Sequence, residues 1–168
     1  MTERKTVKKW FWVWEFEKEE RWLNEMAMQG WALDGLGFCT YHFIPCEPGE
    51  YTVRLEMHEP ESEYLDFMAS TGAEYVGRMV KWIFFRKKTA DGPFDLYSDI
   101  DSRLKHLERI GRMLGAIAIA NIGIGISSSI AGTYVGWINL LCAAVLAYGL
   151  GRIHEKREKL KADRLLME

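Results

Sequence analysis

The chain changes its hydrophobic rhythm twice. Between residues 10 and 88, short stretches alternate apolar with polar side chains, and two longer ones repeat apolar residues every three or four positions. A period of two marks a strand with one face against a core; a period near 3.6 marks an amphipathic helix. The pattern predicts a strand over 10–14 and a helix over 16–29, with Glu19, Trp22, Leu23 and Met26 on one stripe. Strands follow over 31–34 and 38–44, with Gly35 and Gly37 in the turn. A second series begins with a strand over 51–57. A helix opens at Pro60 or Glu61 and runs to about Thr71, and strands follow over 73–77 and 80–86. Gly30 and Gly72 close the two helices, as glycine commonly does. Pro45, Pro48 and Gly49 link the two series.

The two series are copies. Sliding the sequence by 42 positions aligns Trp22-Leu23 with Tyr64-Leu65, Met26-Ala27 with Met68-Ala69, Gly30 with Gly72 and Gly35 with Gly77. Tyr41 and Phe43 meet Ile83 and Phe85. Two copies are too few for a solenoid and fit a fused, duplicated motif. The predicted fold class is α+β: a duplicated strand-helix-strand-strand unit, repeats about 9–46 and 51–88, forming an antiparallel sheet with two helices on one face.

Strand alternation then assigns faces. Val53 and Leu55, with Phe11 and Val13 as their ungapped equivalents, are expected to meet the helices, together with Tyr41, Phe43, Ile83 and Phe85. The opposite face would carry Trp10, Trp12, Trp14, His42, Arg54, Glu56, Trp82 and Phe84. An apolar patch of that size calls for a cover. Three covers are open: the amphipathic segment 99–112 of the same chain, a partner or second copy, or a small apolar ligand.

From residue 113 to residue 150 there is no charged side chain. Those 38 residues are too many for one bilayer crossing, which takes roughly 20. The Ser127-Ser128-Ser129 run with Gly132 and Thr133 supplies a turn. Two transmembrane helices are predicted, about 113–130 and 134–150, after an amphipathic juxtamembrane helix at 93–112 and before a basic helical tail at 151–168. Residues 1–92 form the head domain. Arg103, Lys105, Arg109 and Arg112 precede the spans, and Arg152, Lys156, Arg157, Lys159, Lys161 and Arg164 follow them. The positive-inside rule then places both termini in the cytoplasm. No cleavable signal peptide is expected, because polar opening residues lead straight into a strand-like run. Small residues four apart, including Gly115 and Gly136, allow close helix packing within the hairpin or between copies.

A net charge of −2 argues against direct nucleic-acid binding. The basic residues cluster beside the spans, where anionic lipid head groups account for them. Three cysteines in this context suggest free thiols. Cys39, His42 and Cys46 are close in sequence, but strand parity separates Cys39 from His42, and no metal site or cofactor is expected. Acidic residues from Glu56 to Asp66 suit a helix N-terminus. No catalytic motif is present.

The Lys8-Lys9-Trp10 opening, the helix 17–30 followed by Trp31, the aromatic strand 38–43 and the two spans resemble a family of uncharacterised Firmicute membrane proteins, the domain of unknown function 2812. The resemblance covers roughly residues 8–110. It implies a regulatory setting in the cytoplasmic membrane of a bacterium, with genomic neighbours of the PadR type of transcription regulator. It implies no catalytic residue.

The leading expectation is a multi-pass, membrane-anchored cytoplasmic binding module with a sensory or regulatory role. Its partners would be membrane lipids and a PadR-type regulator or another protein, bound through the aromatic face. A structural homo-oligomer without a ligand and an enzyme acting on an apolar or lipid substrate are the alternatives.

Overall fold

A computed structural model describes residues 4–97 and 99–167, with side chains through 165; the first and last residues of the expected head and tail lie outside the described residues. The chain divides into two compact units that meet between residues 98 and 99.

The first unit is the duplicated head. Its elements are β1 (Lys5–Lys8), α1 (Phe16–Met28), β2 (Trp31–Gly37), β3 (Thr40–Pro45), β4 (Tyr51–Met57), α2 (Ser62–Ser70), β5 (Glu74–Met79) and β6 (Trp82–Lys88). They form two three-stranded antiparallel sheets, ordered β1-β3-β2 and β4-β6-β5, rather than one continuous ladder. The copies match in detail. Leu33 lies opposite Phe43 and Tyr75 opposite Phe85, and each second strand bulges one residue later, before Gly35 and before Gly77. Gly30 and Gly72 both sit at φ +83°, the left-handed conformation that glycine enters without a Cβ clash. Both amides close their helix ends, on Ala27 O and Ala69 O at 3.0 Å each.

The first strand departs from expectation. Residues 10–14 are not a strand: β1 is Lys5–Lys8, and Val13–Glu15 is a 3-10 turn. Lys5 lies opposite Phe43, whereas Arg54 lies opposite Phe85. The leading strands are therefore 49 positions apart and the hairpins 42, so the first copy carries seven extra residues, 9–15. Ungapped sliding could not register an insertion at that point.

Each helix packs on its own hairpin with the matching ring. Trp22 of α1 meets Tyr41 and Phe43 at ring-centroid distances of 5.0 and 5.9 Å. Tyr64 of α2 meets Phe85 at 6.1 Å. Met68, Ala73, Ile83, Phe85 and Phe94 complete a core beneath α2. The expected phase of β4 is corrected by one residue. Leu55 lies opposite Phe84, away from α2, while Glu56 lies opposite Ile83 and accepts a hydrogen bond from the Tyr64 hydroxyl. A one-residue shift exchanges faces. Alternation misled here because β4 and β6 are buried on both sides: Val53, Leu55, Met57, Trp82 and Phe84 are all buried, as are Ile83 and Phe85. A strand with two dry faces has no polar side to fix its phase.

Helix α1 also closes the free edge of β4. The Asn24 side chain accepts from Val53 N–H at 2.9 Å and donates to Val53 O at 3.0 Å, as a neighbouring strand would. Glu20 accepts from Leu55 N–H at 3.3 Å. Buried backbone groups need such partners, and an open edge invites foreign strands. Arg86 joins the copies. Its guanidinium donates to Leu33 O at 2.7 Å, lies 3.6 Å from Asp34 and 2.7 Å from Glu74, and covers the Tyr51 ring at 5.0 Å.

The second unit is an antiparallel pair of helices, α3 (Ile100–Ile130) and α4 (Val135–Met167). The expected juxtamembrane helix and first span are one continuous α3, about 46 Å long at 1.5 Å per residue. The Asp99 carboxylate caps it by accepting from Ser102 N–H at 2.6 Å. Its other end closes through Thr133 N–H to Ser128 O at 3.0 Å. The seam runs along Leu107, Ile110, Leu114, Ala118 and Gly125 against Gly136, Ala143 and Ile153. Arg164 pairs with Asp101 at 2.8 Å at the far end. Gly136 belongs to the seam: a Cβ there would lie 2.7 Å from Gly125 O and overlap Ser129. Gly115 does not, since a Cβ there would meet nothing within 4 Å. Its expected packing role inside the hairpin is therefore corrected.

Candidate functional site

The seven extra residues of the first copy carry the most unusual surface of the head. Lys9 N–H donates to Cys39 O at 3.0 Å and ties the loop to the β2–β3 turn. Phe11 turns inward onto Trp22 (5.6 Å) and Tyr41 (6.4 Å). The Lys9 ammonium covers Phe11 and Trp22 at 5.1 and 4.4 Å, within cation–π range. With the backbone fixed this way, the tryptophans on either side of Phe11 point outward.

Trp14 is buried, and Trp12 stacks flat on it at 4.9 Å with an interplanar angle of 9°. Trp10 meets Trp12 edge-on at 5.6 Å and Phe38 edge-on at 6.2 Å. The four rings form a series from core to solvent. The outer three, Trp12, Trp10 and Phe38, are 43, 57 and 75% exposed. Contacts within the series hold those rings in place before anything binds. Aromatic side chains held with little rotamer freedom are good anchors, since little entropy remains to be lost on contact. Lys8 and Lys9 are exposed beside them.

Of the eight residues expected on one open face, the structure brings Trp10, Trp12 and Trp14 together and places the other five elsewhere. His42 is exposed on the outer side of the first sheet, with Nδ1 3.0 Å from the Thr6 hydroxyl. Arg54 is half-buried and lies 3.3 Å from Glu20. Glu56 is buried against Tyr64. Trp82 is buried beneath Phe16, with ring centroids 5.3 Å apart, and Phe84 is fully buried. Phe38 was missed, although Gly37 immediately before it marks a turn that leaves the next side chain at the tip. The equivalent tip of the second copy holds Val80, 73% exposed.

The buried polar groups of the head are structural. Burial pushes the Glu19 carboxyl above its usual range, and the hydrogen bond from the Tyr41 hydroxyl at 2.6 Å pulls it partly back. The Tyr41 hydroxyl is raised in turn, by burial first and then by Glu19. Burial also raises Glu20, against the opposing attraction of Arg54. Each of these groups is engaged by another side chain. The three cysteines are free. Among the described residues, no three His, Cys, Asp or Glu side chains are grouped to hold a metal ion.

A family described as "Protein of unknown function (DUF2812)" matches residues 15–119. No curated protein and no solved structure matches the chain.

Proposed function

We propose, for a chain that belongs to this family of proteins of unknown function, the role of a membrane-anchored binding module with a sensory or regulatory task. The helical pair would sit in the bilayer and the head would present Trp10, Trp12 and Phe38 to a partner. One observation carries the reading: apolar surface that the protein leaves uncovered. α3 and the 135–165 stretch of α4 are both long and apolar enough to cross a membrane, yet only 17 and 22% of their most apolar windows are buried. Ile119, Ile130, Trp137, Ile138 and Leu141 are each more than 60% exposed. The core helices of a soluble protein would bury one such face, and lipid is the cover that suits all sides at once. The basic flanks support cytoplasmic termini in a bacterial membrane. For the partner, the class that the resemblance implies is a PadR-type regulator.

The native thiols test the anchoring. Cys39 lies at the β2–β3 turn and Cys142 on the exposed side of α4. In inverted membrane vesicles, an impermeant maleimide should label Cys39 and spare Cys142 until the membrane is dissolved in SDS. Equal labelling of both thiols in intact vesicles would overturn the reading. For the binding surface, Trp12→Asp should abolish crosslinking to whichever protein the wild type captures in native membranes. Unchanged capture by a folded variant would remove the aromatic cluster from the proposal.

A second reading is a homo-oligomer without a ligand. The outward position of Gly115, with open space around it, favours it over packing inside the hairpin. Gly115→Leu should then dissociate the oligomer in detergent and leave a monomeric hairpin intact.

A further inference from the structure

The helical pair carries an open, groove-like cavity where the uncharged run ends. It has a volume of about 520 Å³ and is lined by Glu108, Gly111 and Arg112 of α3 and by Leu150, Gly151, Ile153, His154 and Arg157 of α4. Glycine on both helices opens the space: a Cβ on Gly151 would meet nothing within 4 Å, and one on Gly111 would meet only Ile153.

The charges around it are unevenly satisfied. On the same helix, Glu155 is occupied by Arg152 and Lys159, at 3.0 and 2.7 Å, and Glu158 by Lys161 at 2.8 Å. At the far end Asp101 is taken by Arg164. Arg112 and Arg157 have no ion-pair partner among the described residues. Arg157 Nε is, in addition, buried with no hydrogen-bond acceptor. A buried donor of a charged group without an acceptor is costly, which points to an anion that supplies one. Glu108 is the one acidic side chain on the lining, so two guanidiniums outweigh one carboxylate. A guanidinium is planar and suits the paired oxygens of a phosphate.

We infer that this cavity binds a phosphate group, with Arg112 and Arg157 as its ligands. The walls favour a lipid as the carrier. Leu150 and Ile153 give the cavity an apolar side, and the uncharged run begins one residue after Arg112 and ends at Leu150. If the hairpin lies in a bilayer, as proposed above, the guanidiniums sit at the depth of the head groups. Basic pockets between spans on the cytoplasmic side are suited to anionic lipids.

The test uses the full-length protein. In native mass spectrometry from micelles holding equal phosphatidylglycerol and phosphatidylcholine, the wild type should retain the anionic lipid preferentially. Arg112→Gln and Arg157→Gln should each weaken retention about fivefold, and the pair roughly thirtyfold, as expected for about 1 kcal/mol per charge at a lipid surface. Gly151→Leu should fill the space and exclude the lipid while leaving the helix intact, which circular dichroism checks. A separate arm adds inorganic phosphate to lipid-free protein and follows thermal unfolding. Protection that depends on the two arginines, without any lipid preference, would assign the same site to a soluble phosphate. Equal retention of the two lipids together with no protection by phosphate would overturn the proposal. The phosphate arm does not require membrane insertion, so failure of the anchoring and failure of this site are distinguishable.

Discussion

The two copies of the head share a hairpin and differ in what leads into it. Strand pairing, bulge position and the glycine that ends each helix recur at a spacing of 42 residues, down to the same φ. The lead-in does not. The second copy passes from β4 to α2 through four residues, 58–61, and both faces of β4 and β6 are dry. The first copy spends seven residues between β1 and α1, and those residues carry Trp10 and Trp12 outward, without a counterpart in the second copy. What recurs is what backbone geometry requires, while side chains that contribute nothing to the hairpin were free to diverge. The helices diverged too: α1 stays on its own hairpin and also closes the edge of β4 through Asn24 and Glu20.

Several substitutions would break or sharpen that equivalence. The largest effect should come from the paired core rings. Phe43 and Phe85 are both fully buried at matching positions, and Phe→Ala at either should cost about 3–5 kcal/mol. Urea titration of the full-length chain in micelles checks it, and a near-zero cost at one site would show that the copies do not share their packing.

A smaller effect separates the helix ends. Alanine at a left-handed position costs about 1–2 kcal/mol, which sets the expectation for Gly72→Ala. There the new Cβ would meet only side-chain ends, those of Lys87 at 3.6 Å and Asp91 at 3.9 Å. Gly30→Ala should cost more, because its Cβ would press to 3.2 Å on Cys46 O, which is backbone. Equal melting temperatures for the two variants would contradict the difference.

The smallest effect is a pH dependence that Glu19 should give the first copy. Glu19 has its carboxyl raised in the folded state, so its charged form is disfavoured there relative to the unfolded chain. As pH falls through the raised folded value, the fold gains stability from this group, and the gain is complete below the ordinary carboxylate value. Glu19→Gln keeps an acceptor for Tyr41 but cannot titrate. The difference between wild-type and variant stability should shift toward the wild type on acidification, as followed by denaturant titrations between neutral pH and pH 4. A difference that stays constant with pH would remove Glu19 as the cause.

Much of this architecture was legible in the residues alone. The 42-residue shift, the helix-ending glycines, the rings of Trp22 and Tyr64 on their hairpins and the two long apolar helices follow from periodicity and composition, which local backbone rules translate directly. The tertiary structure decided three other matters. It decided the phase of β4, because a strand dry on both faces offers no polar side from which to count. It decided that Trp10 and Trp12 flank an inward Phe11 in a loop instead of alternating along a strand, because an insertion is invisible until strand pairing reveals the offset. It also decided which cations are satisfied. The sequence shows a basic flank, but only the folded pair shows which of its cations line one groove, Arg112 and Arg157, and which are taken up by carboxylates within α4 or across to α3.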